Sequence, residues 1–131
     1  MVLASIIIPS FNRPDRLSEC LTACMEQDDP NYEIVVVDDG SPQPLADICE
    51  QFGDTVRCIR QENAGAGPAR NTGVAEAHGE FLAFTDDDCR PRSDWLSQLR
   101  SSHAGDATRL VGGYVENGLP DNIYSSVSQD L

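Results

Sequence analysis

Two short runs constrain this chain more than any other feature. "ASIII" (4–8) and "EIVVV" (33–37) are continuous apolar stretches rich in β-branched residues. Neither run alternates, so both fit strands covered on two faces and not a sheet with one wet side. Between them, "PDRLSECLTACMEQ" places Leu17, Cys20, Leu21, Cys24 and Met25 on one helix face at i, i+3, i+4, i+7, i+8. Pro14 fits a first helical turn, and Asn12 is the expected cap.

The alternation continues along the chain. "PLADICEQFG" sets Leu45, Ile48, Cys49 and Phe52 on one face, with Gly53 as its stop. "TVRCI" (55–59) reads as a strand, and "GPARNTGVAEAHG" as a helix of small residues ending near Gly79. "EFLAFT" is a fourth strand. Ser93 is the expected cap of "DWLSQLRSSH", whose apolar face is Trp95, Leu96 and Leu99. "RLVGGYVE" (109–116) reads as a fifth strand. Strands that alternate with helices over short connections need crossovers, which places neighbours in parallel. The predicted class is therefore α/β: a mostly parallel open sheet with helices on both faces.

The 131 residues suit one domain. Residues 1–116 carry the pattern. The tail, 117–131, has loop chemistry, and its "YSSVSQDL" is the expected start of a helix. Net charge is −13, from 22 acidic and 9 basic residues. That excess argues against a nucleic-acid backbone or an anionic lipid surface as partner, since each needs a basic face. No apolar run approaches the ~20 residues of a membrane span. "MVLASIIIPS" lacks a basic leader region and reads as a strand rather than a signal peptide. The five cysteines form no CxxC pair, and Cys20 and Cys24 fit core packing. A reducing, cytoplasmic setting is the expectation.

Open α/β sheets bind ligands at the carboxyl ends of their strands. After the first strand come Pro9, Ser10, Phe11, Asn12 and Arg13; after the second, Asp38, Asp39, Gly40 and Ser41. Asn63, Ala64, Gly65, Ala66 and Gly67 follow the third, with Arg70 a turn further on. The fourth runs straight into Asp86, Asp87 and Asp88. Polar loops are ordinary, and they explain Ser41, Gly65 and Gly67. Adjacent carboxylates are not, because like charges so close need a counter-charge. A hard divalent cation supplies one, and it leaves coordination positions for a diphosphate.

Four stretches together resemble the family 2 glycosyltransferases, which have the GT-A fold: "SIIIPSFNRPDRL" (5–17), "EIVVVDDGSPQ" (33–43), "ENAGAGPARNTG" (62–73) and "GEFLAFTDDDC" (79–89). The resemblance implies a nucleotide pocket lined by Pro9, Ser10, Phe11, Asn12 and Arg13, with Gly40, Ser41 and Asn63 beside it. It implies Asp39 on the uracil ring and Arg70 near the nucleotide-sugar. Asp86-x-Asp88 matches the family's D-x-D motif. Asp88 is then the expected ligand of Mn²⁺ or Mg²⁺, while Asp86 and Asp87 would touch ribose or the metal's waters; Asp86 is also a candidate metal ligand. The implied reaction is inverting transfer of a sugar from a nucleoside diphosphate donor, UDP-sugar favoured over GDP or dTDP, to a glycan or lipid-linked acceptor. The family's general base lies well downstream of D-x-D, and only 43 residues follow Asp88 here. The chain is thus expected to be the donor-binding part, with 117–131 leading toward an acceptor-binding part. The competing expectation is a nucleotide-sugar-binding module that transfers nothing. A dinucleotide-binding oxidoreductase fits poorly, because "GAGPAR" follows the third strand and lacks the third glycine. "PSFNRP" is no triphosphate loop, which disfavours a nucleotidyltransferase.

Overall fold

The two β-branched runs become the centre of the sheet. The computed structural model describes residues 2–102, 114–116 and 123–125. Strands β1 (Ala4–Ser10), β2 (Tyr32–Asp38), β3 (Val56–Arg60) and β4 (Phe81–Phe84) are all parallel, in the order β3-β2-β1-β4. Every residue of β1 is buried, Ser5 and Ser10 included, as a central strand covered on both faces requires.

Alternate side chains go to opposite faces. Ile6, Ile8, Ile34 and Val36 meet helices α1 (Pro14–Cys24), α2 (Ala46–Glu50) and α4 (Trp95–Ser102) through Leu17, Cys20, Leu21, Leu45, Cys49, Trp95, Leu96 and Leu99. Each such large apolar side chain contributes about 1.5–3 kcal/mol when fully buried. On the other face, Val35 and Val37 pack against Ala69 of α3 (Ala66–Glu76). This layer is thin because α3 lies almost on the strands. A Cβ on Gly73 would stand 2.5 Å from Ile7 Cγ2, so only glycine permits that approach.

The register brings the strand ends together. Ser10 lies opposite Asp38, and Ile7 opposite Phe84. Backbone bonds continue past the strands: Asp39 N–H to the Ser10 carbonyl (2.9 Å), Gln61 N–H to that of Asp38 (3.0 Å) and Thr85 N–H to that of Ile7 (3.2 Å). Three connecting loops therefore leave one edge of the sheet side by side.

Several local expectations change. Asn12 does not cap α1; it adopts a left-handed conformation (φ 54°) and donates its N–H to Ser41 Oγ (2.8 Å). Arg13 stands at the cap position with Pro14 beginning the helix. At the start of α4 the Arg92 carbonyl accepts the Trp95 N–H (2.9 Å) and Gln27 Oε1 accepts the Leu96 N–H (2.9 Å), while the Ser93 carbonyl accepts from Asp28. The expected fifth strand is not part of the parallel sheet. Among the described residues, β5 (Tyr114–Glu116) pairs antiparallel with β6 (Ile123–Ser125); residues 109–113 lie outside them. Tyr124 and Ser125 are thus strand and not the start of a helix, and the rest of that stretch lies outside the described residues. Such a short strand pair is invisible to a reading by apolar runs, since three-residue strands show no period. No described helix is long and apolar enough to cross a membrane.

Candidate functional site

The three loops and the acidic turn after β4 enclose a cleft of about 380 Å³. Pro9, Ser10, Phe11 and Arg13 line it from the β1 side, Asp39 from β2, Ala66 and Arg70 from α3, and Asp86, Asp87 and Asp88 from β4. The expected residues Asn12, Gly40, Ser41 and Asn63 do not line the cleft. They stitch its loops together from behind.

The adjacent aspartates 38 and 39 do different jobs. Asp38 is 1% exposed. Its Oδ1 accepts the Ser41 N–H (2.9 Å), and its Oδ2 accepts the Leu45 N–H (3.0 Å) and Arg60 Nη1 (2.9 Å). Arg60 Nη2 also reaches the Ser41 carbonyl (2.9 Å). Asp38 thus orients the β2–α2 loop. Burial pushes its carboxyl up, but the Ser41 and Leu45 hydrogen bonds and the Arg60 charge outweigh that and hold it below the usual range.

Asp39 reaches the next loop. Its Oδ1 accepts Gln61 Nε2 (2.9 Å) and the Ala64 N–H (2.8 Å), and its Oδ2 accepts the Gly65 N–H (2.9 Å) and Asn63 Nδ2 (3.4 Å). Those amides precede α3, so Asp39 shapes the loop that feeds the helix carrying Arg70. Burial raises its carboxyl as well, and the bonds from Gln61, Ala64 and Gly65 again bring it below its ordinary value. Gly40 sits between the two loops at φ 78°, where a Cβ would come within 2.8 Å of Asn63 N. Both its conformation and the close approach require glycine there.

Opposite lies the acidic turn. Asp87 is buried; Ser10 donates its hydroxyl to Oδ2 (2.7 Å), and Arg13 Nη1 lies 3.3 Å from Oδ1. The same Arg13 nitrogen is 3.8 Å from Asp88 Oδ2. Arg70 Nη2 is 3.1 Å from Asp86 Oδ1. Burial raises the Asp87 carboxyl above its usual value; Ser10 and Arg13 pull it down, and Asp88 and Asp86 push it further up. Two guanidinium groups therefore face three carboxylates.

Asp86, Asp88 and Cys89 bring ligand atoms within 4.8 Å of one another. The two carboxylates offer the oxygen donors that a hard divalent cation takes. Cys89 is fully buried among core residues and lies 3.6 Å through its Sγ from Asp88 Oδ1. The residues present therefore fit Mn²⁺ or Mg²⁺ through Asp86 and Asp88.

Arg60 and Gln61 are not among the residues that the sequence reading places at this edge, whereas Ala66 is. Arg60 and Gln61 directly follow the expected strand 55–59, so the strand-end rule finds them when it is read from residue 60 rather than from Asn63. Ala66 offers no chemical signal. Arg90 and Arg92 pair with Glu19 and Asp94, as local charge balance predicts.

The family described as Glycosyl transferase family 2 matches residues 5–128. The glycosyltransferase AglE of Haloferax volcanii is 39% identical over 123 residues, covering 89% of this chain and 40% of that protein. Among solved structures, the mannosyltransferase PcManGT from Pyrobaculum calidifontis in complex with GDP-Man and Mn²⁺ superposes with a TM-score of 0.74 at 28% identity, over 85% of this chain and 34% of that one. S. aureus TarS (residues 1–349) in complex with UDP-GlcNAc does so with a TM-score of 0.66 at 29% identity, over 76% and 31%. The chain spans well under half the length of each. An open parallel sheet with three polar loops and an acidic turn at one edge, matched by sequence and by structure, places this chain in glycosyl transferase family 2, with the GT-A fold.

Proposed function

We propose that this chain is the donor-binding part of an inverting glycosyltransferase that takes a sugar from a nucleoside diphosphate, UDP-sugar favoured, and passes it to a glycan or lipid-linked acceptor. The observation that carries this reading is the cleft that sets Asp86, Asp87 and Asp88 opposite Arg13 and Arg70. In this reading residues 1–116 are the donor domain and 117–131 lead toward the acceptor part. None of the five cysteines is in a disulfide, which accords with a cytoplasmic setting.

Asp86 and Asp88 would hold Mn²⁺ or Mg²⁺. When bound, the cation stabilises the negative charge that develops on the departing diphosphate. Arg13 and Arg70 add fixed positive charge at the same wall. Phe11, 44% exposed at the cleft, offers a face on which a base can stack. Ser10, Asp39 and Pro9 shape the floor; Asp39 already accepts from Gln61, Ala64, Gly65 and Asn63, so pairing with a uracil ring would displace one of these donors.

A second reading has one observation in its favour. Asp39, Asp86, Asp87 and Asp88 each already face an amide or a guanidinium, so no described carboxylate of the cleft stands ready as a general base. A binding module would share the donor cleft and lack turnover. Titrating UDP, GDP and dTDP into the chain with Mn²⁺ tests the main proposal, and UDP should bind tightest. Failure of all three to bind a folded sample would sink it. Sugar release from the bound donor in a chain extended to the full length of its relatives separates enzyme from module.

A further inference from the structure

We propose that Arg13 is an exchangeable counter-charge: it holds Asp88 beside Asp87, gives way when a divalent cation takes Asp88, and turns to the diphosphate. This rests on the donor-site reading above and adds a role that the cleft alone does not assign.

One guanidinium nitrogen spans two carboxylates, at 3.3 Å from Asp87 Oδ1 and 3.8 Å from Asp88 Oδ2. The two contacts are unequal. Asp87 keeps the Ser10 hydroxyl at 2.7 Å on its other oxygen, so it stays anchored when Arg13 leaves. Asp88, a third exposed, meets Arg13 from the open side of the cleft and only a weak thiol donor from the core. The backbone of Arg13 is held on both sides, by the Asn12 N–H on Ser41 Oγ and by Pro14 at the start of α1. Its side chain is half-exposed, which leaves room on the solvent side for it to turn about that fixed point. Arg70 differs: among the described ion pairs it meets Asp86, at 3.1 Å, and does not span two carboxylates.

A guanidinium and a divalent cation on one carboxylate repel each other. Metal and Arg13 therefore compete for Asp88, whereas diphosphate and Arg13 attract. The two ligands should respond to loss of Arg13 with opposite signs. A merely structural arginine would weaken both.

The test is calorimetric titration of Mn²⁺, without nucleotide, into the parent chain and into Arg13→Gln, Arg13→Lys, Arg16→Gln and Asp88→Ala. Arg13→Gln should bind Mn²⁺ roughly two- to fivefold tighter, the range set by a solvent-screened ion pair. Arg16 is exposed on α1 and removes the same charge at a distance; its variant should shift Mn²⁺ affinity by less than about 1.5-fold. Arg13→Lys should stay near the parent. UDP titrated at saturating Mn²⁺ should bind Arg13→Gln more weakly than the parent. Equal or weaker Mn²⁺ binding by Arg13→Gln, with Asp88→Ala still abolishing it, would overturn the exchange and leave the donor site standing. Absence of Mn²⁺ binding by both the parent and Arg13→Gln would instead remove the cation reading, and this inference with it.

Discussion

Replacing Asp38 by alanine should unfold this domain far more readily than any surface change. Its carboxylate is almost fully enclosed and serves two buried backbone amides, Ser41 N–H at 2.9 Å and Leu45 N–H at 3.0 Å. Each amide left without a partner costs about 1–3 kcal/mol. The Arg60 contact adds less, because that side chain is 47% exposed and screened, and about 0.5 kcal/mol is a fair share. Removing a buried charge offsets part of this. A net loss of about 3 kcal/mol follows, a large share of the roughly 5–15 kcal/mol that holds a domain together. Asp38→Asn keeps one acceptor and turns an NH₂ group toward the other amide, so about half that loss is expected. Urea unfolding followed by tryptophan fluorescence reads both, with Trp95 buried in the core as the reporter. The midpoint should fall while the slope stays fixed. The pH dependence has a definite sign. A carboxyl held below its unfolded value stabilises fully above the unfolded pKa of ~3.9 and loses that contribution as pH falls through the folded one. The gap between parent and Asp38→Asn should therefore close in acid. A loss below about 1 kcal/mol for Asp38→Ala would refute the claim that these amides depend on it.

Asp87 should behave in the opposite sense. Its carboxyl is raised, chiefly by burial, so its ionised form opposes folding above the folded pKa. Asp87→Asn should melt higher than the parent at pH 7, with the difference vanishing as pH falls to the unfolded value of ~3.9; a lower melting point at pH 7 contradicts this. Gly73→Ala should cost about 1 kcal/mol, because overpacking against Ile7 (about 2 kcal/mol) exceeds the helix-propensity gain of about 1 kcal/mol. Combining it with Ile7→Ala should be non-additive in chemical denaturation. Phe11→Ala should leave the melting temperature within about 1 °C, since the ring is an exposed surface residue, yet weaken UDP by roughly five- to a hundredfold in calorimetry.

Much of this was legible because strong signals agreed. The unbroken runs Ile6–Ile8 and Val35–Val37 could only be central strands, and parallel pairing then fixed which loops share an edge. The crowding of Asp86, Asp87 and Asp88 marked the cleft wall, since adjacent carboxylates need positive partners. What stayed hidden depends on tertiary contact. Nothing in "DDGS" separates Asp38, which holds its own loop through Ser41 and Leu45, from Asp39, which holds the next one through Ala64 and Gly65. Asn12 resembled a helix cap because side-chain type was visible and its left-handed backbone was not. Gln27 reaches the start of α4 across 69 residues, a link no local pattern carries. Likewise β5 and β6 exist by pairing with each other, each too short to announce itself.

The central claim is that the acidic turn binds a nucleoside diphosphate through a divalent cation. Calorimetric titration of UDP into the parent chain and Asp88→Ala, each with and without Mn²⁺, tests it most directly. The account predicts binding that requires Mn²⁺ in the parent and is lost in the variant, with both proteins folded. UDP binding that ignores both the metal and Asp88 would contradict it.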